Sequence, residues 1–288
     1  MSLKTRLQQK QILVAPGVYD GLTAAIAASA GFEALYLSGA AVAYTRLGRP
    51  DIGLTSVTEM SETMGLIADR TDLPGILDAD TGFGNALNAQ RTMGVYERAG
   101  ASALQVEDQT YPKRCGHLSD KSLIPAAEMA GKVKAMADAR RSSETLIIAR
   151  TDAIAVEGYS AAVDRAETYL EAGADVLFVE APQSREQLAG IAQHFEGRVP
   201  LLANMVEGGA TPITGADDLE EQGYSIVIFP GGIVRAIART AGDYYQSLRE
   251  NGSNRPFAGR MYDFDGLNRV IGTAEMLARG ASYDRDES

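Results

Sequence analysis

The sequence predicts a single (β/α)8 barrel, in which a strand followed by a helix is repeated eight times. Three observations lead to this prediction. The 288 residues suit one such barrel, eight short apolar runs alternate with amphipathic segments, and a glycine joint recurs where helices give way to strands. A doubly wound open sheet built from the same alternating elements is the competing architecture.

The eight predicted strands are short and mostly continuously apolar, as expected of parallel strands that are buried on both faces. In chain order they span residues 12–15, 34–38, 75–80, 103–107, 145–150, 176–180, 200–204 and 225–230. The helical pattern is clearest over residues 22–30, 57–70, 86–99, 128–139, 161–172, 185–195 and 235–249, and is weaker over 217–222. This alternation favours one domain over residues 1–288.

The glycine joint occurs at Gly31, Gly100, Gly173 and Gly223, each just before a predicted strand. Glycine readily adopts the left-handed backbone conformation that ends a helix. Four occurrences of the same joint indicate one repeated structural unit. After the eighth unit, residues 258–288 are predicted to form a C-terminal helical extension, with a helix over 264–280.

Composition restricts the class of partner. The formal net charge is −11, which argues against nucleic acid and anionic membranes as general partners. The single cysteine precludes a disulfide within the chain. The sequence has neither an apolar leader nor a run of the roughly 20 apolar residues that a membrane helix needs. We therefore expect a cytoplasmic protein that acts on a small molecule.

Polar residues end six successive predicted strands. Since a (β/α)8 barrel holds its active site at the carboxyl ends of its strands, these side chains are expected to meet there. Six polar strand ends at one end of a barrel are hard to explain by stability alone. The residues are Ser38, then Asp78 and Asp80, Glu107 and Asp108, Arg150 and Asp152, Glu180, and Asn204.

Three of these carboxylates indicate a metal site. Asp78 and Asp80 alternate on a predicted strand and should point to the same side, and Glu107 ends the next strand. Adjacent carboxylates repel unless a cation neutralises them, and oxygen ligands suit Mg²⁺ or Mn²⁺. Alternatively, some of them cap helices or pair with arginine, and Asp152 is predicted to be such a partner of Arg150.

The loop after the fourth strand contains the only cysteine, in the segment Lys113-Arg114-Cys115-Gly116-His117. Neighbouring cations lower the pKa of a thiol, and such a thiol can move a proton near neutral pH. A lone cysteine is more often a small buried hydrophobe, but its polar neighbours here argue against burial. His117 is predicted to bind an anion or to orient the cysteine.

Arg150 and Asn204 supply fixed hydrogen-bond donors at the same end of the predicted barrel. Arginine binds a carboxylate through two parallel hydrogen bonds. From the residues alone, the sequence predicts a metal that polarises a carbonyl or enolate, donors that bind carboxylates, and a thiol that moves a proton.

The ordered motifs resemble the isocitrate lyase/phosphoenolpyruvate mutase superfamily, and most closely its 2-methylisocitrate lyase and 2,3-dimethylmalate lyase branch. The cysteine loop is the most specific of these motifs. The others are Tyr36-Leu37-Ser38-Gly39, Pro50-Asp51-Ile52-Gly53, Asp78-Ala79-Asp80 with Gly82-Phe83-Gly84-Asn85, Glu107-Asp108-Gln109, Ile148-Ala149-Arg150-Thr151-Asp152, and Asn204-Met205-Val206-Glu207 with Thr211-Pro212.

The resemblance implies a role for each site residue. Asp78 would bind Mg²⁺ directly, while Asp51, Asp80 and Glu107 would hold its waters. Cys115 would be the general acid that protonates the departing carbanion. The remaining implied catalytic residues are Tyr36, Arg150 and Glu180, and the implied substrate-binding residues are Ser38, Gly39, Ala40, Lys113, Arg114, Gly116, His117, Asn204 and Thr211.

The implied activity is Mg²⁺-dependent cleavage of a carbon–carbon bond in a branched 2-hydroxy di- or tricarboxylate. The products would be pyruvate or a related keto acid and a second carboxylate. The resemblance also implies that the last helix is exchanged between the subunits of a homotetramer.

Three features depart from the superfamily pattern. Ala40 stands where a glycine is common, and Gln105 stands where a histidine often precedes the Glu-Asp pair. Pro230-Gly231-Gly232 replaces bulkier residues that help to select the substrate, so the residue types do not define the pocket for the substrate's distal end.

Three other functions remain open at this point. Carboxyphosphonoenolpyruvate phosphonomutase-like P–C chemistry is one, because that enzyme keeps the same cysteine loop. Oxaloacetate decarboxylation or hydrolysis is another, because it uses the same metal and enolate. The third is a non-catalytic keto-acid-binding protein on an inherited barrel, which loss of a carboxylate or of the cysteine would have supported.

Overall fold

The structure, a computed structural model, describes residues 1–116, 120–212 and 215–283. Eight parallel strands form a nearly closed barrel, in the order β6-β5-β4-β3-β2-β1-β8-β7. The strands are β1 (Leu13–Val18), β2 (Leu35–Leu37), β3 (Gly75–Asp78), β4 (Ala101–Glu107), β5 (Leu146–Thr151), β6 (Val176–Val179), β7 (Leu202–Asn204) and β8 (Ile226–Phe229). The predicted strands are confirmed, with small differences at their ends.

The ends of this order also meet, which identifies a barrel and not an open sheet. β1 pairs with β8 through parallel partners such as Leu13 and Ile226. Between β6 and the start of β7, Leu177 forms a parallel bridge with Leu201, and its N–H donates to the Pro200 carbonyl at 3.1 Å. The doubly wound alternative is therefore wrong.

Helices follow the strands as the sequence predicts. In the described ranges they are α1 (Leu3–Arg6), α2 (Gly21–Ser29), α3 (Gly39–Val42), α4 (Val57–Arg70), α5 (Ala86–Arg98), α6 (Ala126–Ala139), α7 (Tyr159–Glu171), α8 (Arg185–His194), α9 (Ala216–Gln222), α10 (Gly232–Asn251), α11 (Phe264–Ile271) and α12 (Thr273–Tyr283). α1, α3 and a π-helical turn over Ala43–Leu47 were not predicted from the sequence.

Local sequence signals explain where these helices begin and end. Asp20 and Ser56 form capping boxes at the starts of α2 and α4, so that backbone N–H groups of the first turn are satisfied. The glycine joint is also confirmed, because Gly31, Gly100, Gly173 and Gly223 all have positive φ angles. The predicted helix over 264–280 is instead two helices, because Gly272 at φ 75° closes α11.

Strand side chains divide into two buried layers. Alternate positions such as Leu13, Tyr36, Ile76 and Phe178 pack together inside the barrel. The intervening positions face outward and pack against the helices in a second, larger core. Leu3 of α1 packs against the inner layer at one end of the barrel. The polar residues at the carboxyl ends of the strands line the opposite end.

The chain forms two compact units, residues 1–233 and 234–288. The first contains the barrel. In the second, the Phe257 ring packs edge-on against Tyr244, with centroids 5.5 Å apart, and Arg260 lies over it at 4.4 Å. The boundary at residue 258 and the exchange of the last helix stay predictions. No helix in the described ranges has the length and apolar character needed to cross a bilayer.

Candidate active site

The predicted strand-end residues are buried at the carboxyl-terminal end of the barrel, and contacts join most of them. They come from six neighbouring strands, so the parallel order itself positions them. The buried residues of this set are Ser38, Asp78, Asp80, Glu107, Asp108, Arg150, Asp152, Glu180 and Asn204.

Asp78 and Asp80 lie side by side next to the backbone of Gly39. A side chain at Gly39 would lie 3.1 Å from Asp78 Oδ2 and 3.4 Å from Asp80 Oδ1, so glycine permits this approach. The predicted shared side is correct, but strand alternation is not its cause. β3 ends at Asp78, and Asp80 adopts a left-handed conformation at φ 45°, with its N–H donating to Asp78 Oδ1 at 3.1 Å.

Asp51 joins this cluster through Lys113. The Lys113 ammonium lies 2.6 Å from Asp51 Oδ1 and 3.0 Å from Asp80 Oδ1. Burial raises the pKa of Asp80 to about 7; Lys113 opposes this rise and Asp78 adds to it. Burial alone would lower the pKa of Lys113, but the surrounding carboxylates, chiefly Asp80 and Asp51, raise it well above its usual value. Lys113 is therefore a buried cation held by carboxylates.

Glu107 and Arg150 meet where β4 and β5 end. Glu107 Oε2 lies 3.3 Å from Arg150 Nε, and burial raises the pKa of Glu107 well above its usual value although Arg150 opposes the rise. Arg150 also donates to Asp152 from Nε at 2.9 Å and from Nη2 at 3.0 Å. The prediction that Asp152 is the partner of Arg150 is confirmed.

The carboxylate cluster fits a hard divalent cation. Asp80 Oδ2 and Glu107 Oε1 are buried and have no hydrogen-bond partner in the described part of the chain. Within that part, no three His, Cys, Asp or Glu side chains are arranged to hold an ion by themselves. Mg²⁺ commonly binds one or two carboxylates and keeps several waters, so a site without three convergent protein ligands can still hold it.

The cysteine loop lies across these groups. Cys115 is half-buried, and its N–H donates to the Asp51 carbonyl at 3.2 Å. Gly116 approaches Arg150 Nη2 and Glu180 Oε1 so closely that a side chain would collide with both. His117 lies outside the described residues. Arg114 is 48% exposed and pairs with Asp120 at the surface, so the structure does not bring it into the carboxylate cluster.

Tyr36 is connected to Asp78 through Gln105. The Tyr36 hydroxyl donates to Gln105 Oε1 at 2.6 Å, and Gln105 Nε2 donates to Asp78 Oδ1 at 3.3 Å. An ionised carboxylate can only accept, so the amide nitrogen must face Asp78 and the amide oxygen must face Tyr36. Burial raises the pKa of Tyr36 well above its usual value, and Asp78 adds to this. Tyr36 is therefore a neutral donor to Gln105.

The other predicted substrate-binding residues surround this centre. Ser38 caps α3 by accepting from the Ala41 N–H at 3.2 Å, and Gly39 and Ala40 form the first turn of that helix. Asn204 Nδ2 donates to the two Glu180 oxygens at 3.1 and 3.3 Å. The Thr211 hydroxyl is buried and has no hydrogen-bond partner among the described residues.

Gln105 and Lys121 support the site in ways that were not predicted from the sequence. Gln105 had a readable signal, because it lies two positions before Glu107 on β4 and so faces the same way. Lys121 had none, because its partners are distant in sequence or on the backbone. The Lys121 ammonium pairs with Asp152 Oδ1 at 2.9 Å and donates to the Gly116 carbonyl. Lys121 therefore connects the cysteine loop to the residue that follows β5.

Asp108 is a third support, although its sequence position had been noted. Its carboxylate accepts from the Thr151 hydroxyl at 2.7 Å, the Asp152 N–H at 2.9 Å and the Tyr169 hydroxyl at 2.7 Å. Arg165 Nη1 lies 3.3 Å away. The network fixes the backbone that carries Arg150 and Asp152, so the role of Asp108 is structural.

Comparison with known proteins places this arrangement in a family. The family model described as phosphoenolpyruvate phosphomutase matches residues 3–249. Relatives include 2-methylisocitrate lyase of Aeropyrum pernix, 43% identical over 98% of this chain and 90% of the relative, and 2,3-dimethylmalate lyase of Eubacterium barkeri, 38% identical over 94% and 93%. The chloroplastic carboxyvinyl-carboxyphosphonate phosphorylmutase of Arabidopsis thaliana is 40% identical over 96% and 82%.

Solved structures agree over nearly the whole chain. A 2,3-dimethylmalate lyase superimposes with a TM-score of 0.92 at 36% identity, covering 97% of this chain and 93% of that one. An oxaloacetate acetylhydrolase bound to 3,3-difluorooxalacetate gives 0.92 at 30% identity, covering 100% and 97%. A phosphonopyruvate hydrolase complexed with oxalate and Mg²⁺ gives 0.88 at 30% identity, covering 98% of each.

These matches span the barrel and every described part of the site. The named relatives at about 40% identity are carbon–carbon lyases as well as a phosphorylmutase, and the lyases recur among them. The chain therefore belongs to the phosphoenolpyruvate phosphomutase family, as a carbon–carbon lyase of the isocitrate lyase/phosphoenolpyruvate mutase superfamily.

Proposed function

We propose that the chain is a Mg²⁺-dependent lyase that cleaves a branched 2-hydroxy di- or tricarboxylate of the 2-methylisocitrate or 2,3-dimethylmalate type. The products are pyruvate or a related keto acid and a second carboxylate. The observation that carries the proposal is the buried cluster of Asp51, Asp78, Asp80 and Glu107, with the Cys115 loop tied to Asp51.

The metal assignment is supported by the chemistry of the donor set. Asp78 would bind the ion directly, and Asp51, Asp80 and Glu107 would hold its waters through oxygens that include the unpartnered Asp80 Oδ2 and Glu107 Oε1. When bound, Mg²⁺ or Mn²⁺ supplies Lewis acidity that stabilises the keto acid oxygen as charge develops. The related phosphonopyruvate hydrolase, in its complex with oxalate and Mg²⁺, supports this assignment.

The substrate is oriented by donors around the cluster. Arg150 is held in place by Asp152 and is directed toward Glu180, with Nη2 and Oε1 3.5 Å apart. Together with Asn204 it would bind the substrate carboxylates. The start of α3, from Ser38 to Ala40, would bind the carboxylate of the keto acid through its backbone N–H groups.

Proton movement completes the reaction. The 2-hydroxyl would give its proton to a carboxylate of the site, for which Glu180 lies beside Arg150 and Asn204. The hydroxyl oxygen becomes the carbonyl oxygen of the keto acid, while the adjacent C–C bond breaks. The bonding pair remains on the carbon of the departing fragment, and Cys115 transfers its thiol proton to that carbon. Lys121 holds the loop beside Cys115 through Asp152 and the Gly116 carbonyl, which would keep the thiol in place.

Two alternative activities have specific support. The 40% identity with carboxyvinyl-carboxyphosphonate phosphorylmutase favours P–C chemistry as the first alternative. The likeness to oxaloacetate acetylhydrolase favours oxaloacetate as the second. No described site carboxylate is replaced and Cys115 is present, so a non-catalytic keto-acid-binding role has no support beyond the fold.

We also propose a cytoplasmic homotetramer whose C-terminal helices are exchanged between subunits. Large apolar side chains of α11 and α12 are exposed on the chain by itself, including Phe264 at 84%, Met276 and Leu277. Patches of this kind commonly mark interfaces between subunits. Sedimentation of the chain and of a variant ending at residue 257 tests the assembly, and a monomeric full-length chain would contradict it.

A keto-acid release assay tests the activity. The panel contains 2-methylisocitrate, isocitrate, 2,3-dimethylmalate, 2-methylmalate and oxaloacetate, each with Mg²⁺ and with chelator. Chelator-sensitive pyruvate from a branched 2-hydroxy acid is the expected result. Turnover of oxaloacetate alone would assign the second alternative, and no turnover of any compound would favour the phosphonate reaction.

A further inference from the structure

Lys113 belongs to the cysteine loop, yet its ammonium lies inside the carboxylate cluster. It is 2.6 Å from Asp51 Oδ1 and 3.0 Å from Asp80 Oδ1, and the three side chains are only 4%, 5% and 3% exposed. An unpaired ammonium is costly to bury. These two carboxylates are therefore what allows Lys113 to occupy this position.

The same carboxylates belong to the proposed magnesium set. A divalent cation draws on their negative charge, directly or through its waters. Two cations that share a buried set of carboxylates also repel each other across a medium of low dielectric constant. The binding of one must weaken the binding of the other.

Lys113 is also close to the proposed acid in the chain. Two residues later, the Cys115 N–H donates to the Asp51 carbonyl at 3.2 Å. On the other side, the Tyr111 hydroxyl donates to the Gly53 carbonyl at 3.2 Å. The segment containing Asp51 and the cysteine loop are thus joined by one backbone hydrogen bond, one hydrogen bond from a side chain to the backbone, and the Lys113 ion pair.

We propose that Lys113 competes with the divalent cation for Asp51 and Asp80, so that metal loading and the position of the Cys115 loop are thermodynamically linked. This inference rests on the metal assignment made above and extends it to the loop. Linkage is reciprocal: if the metal weakens the Lys113 ion pair, the ion pair weakens metal binding by the same factor. Metal binding then loosens the loop and makes Cys115 more accessible.

Calorimetric titration with Mg²⁺ tests the competition in the purified full-length chain. Lys113→Met keeps the length of the side chain and removes its charge, so Mg²⁺ is expected to bind at least about tenfold more tightly, or ~1.4 kcal/mol. Lys113→Arg keeps the charge and should retain the affinity of the unaltered protein.

Lys121→Met is the matched control. Lys121 is equally buried and lies in the same loop, but its carboxylate partner is Asp152, outside the proposed metal set. Its substitution should not tighten Mg²⁺ binding. Equal or weaker binding by Lys113→Met, or equal tightening by Lys121→Met, overturns the proposal while leaving the metal site intact. If no variant binds Mg²⁺ or Mn²⁺, the metal assignment of the proposed function fails, and the linkage fails with it.

Alkylation of the only cysteine supplies a second test that needs no variant. In the unaltered protein, saturating Mg²⁺ should raise the rate of Cys115 alkylation by iodoacetamide about fivefold or more, the low end of measured couplings between sites. This result would support the linkage even if Lys113→Met does not fold. An unchanged or slower rate would overturn it.

Discussion

Asp152→Asn is the substitution that most directly tests how the site is held together. Asp152 is fully buried and neutralises two buried cations, Arg150 through two hydrogen bonds and Lys121 at 2.9 Å. Burial would raise the pKa of Asp152, but Arg150 and Lys121 lower it. An asparagine has no charge and accepts only through its carbonyl oxygen, so it cannot receive both hydrogen bonds of the guanidinium.

The expected loss of stability depends on the hydrogen-bond and ion-pair partners that Arg150 and Lys121 retain. Arg150 keeps Glu107 at 3.3 Å and Glu180 at 3.5 Å, while among the described residues Lys121 keeps only the Gly116 carbonyl. Breaking a buried ion pair by removing one partner costs about 3–5 kcal/mol, and we expect a loss of stability in that range. Since Arg150 and the cysteine loop are both released, kcat/KM should fall together with stability.

Guanidinium-induced unfolding, extrapolated linearly to water, measures the effect. The matched control is Glu157→Gln, because Glu157 also binds an arginine through two hydrogen bonds, at 2.7 Å each to Arg165. Glu157 is 38% exposed, so water replaces the lost contacts and the cost should stay at or below about 1 kcal/mol. If Asp152→Asn costs no more than this control, the reasoning about buried charge is refuted.

Three further predictions address the metal, the loop and pH. Dialysis against EDTA should abolish keto-acid release, and Mg²⁺ should restore it; release that survives chelation would exclude a required metal. Gly116→Ala should strongly reduce kcat/KM because its side chain would collide with Arg150, whereas Gly131→Ala in α6, where the space is open, should stabilise the chain by about 0.5–1 kcal/mol. Hydrogen bonds from Arg198 lower the pKa of Glu167 to about 2, below its value in the unfolded chain. The contribution of this pair to the free energy of unfolding is therefore present above pH ~4.5 and is lost as pH falls toward 2. The free energy of unfolding, measured as pH is lowered from 5 to 2, should show this loss, of up to about 1 kcal/mol. The Glu167→Gln variant should lack this part of the pH dependence.

The fold was largely predictable because each strand and helix has its own local pattern. β3 and α4, for example, follow from a short apolar run and from an amphipathic segment after a capping serine. The break at Gly272 was not predictable, because a single glycine can also be accommodated within a helix. The three-residue strands β2 and β7 were also predicted, since a glycine joint precedes β2 and a polar residue marks the end of each.

The site was predictable where strand order determines it. Asp78, Glu107 and Arg150 end neighbouring strands, so the barrel itself brings them together. The details that depend on loops were not predictable: the left-handed backbone of Asp80, the insertion of Lys113 into the carboxylate cluster, and the surface position of Arg114. Neighbouring residues of a loop follow no fixed alternation, so their directions are set by distant partners.

The central claim is that Cys115 moves a proton and does not hold the metal. The measurement that tests it most directly is keto-acid release by Cys115→Ser, with calorimetric binding of Mg²⁺ and oxalate to the same preparation. The account predicts that cleavage is abolished while Mg²⁺ and oxalate bind as they do to the unaltered protein. Retained cleavage, or loss of Mg²⁺ binding, would contradict it.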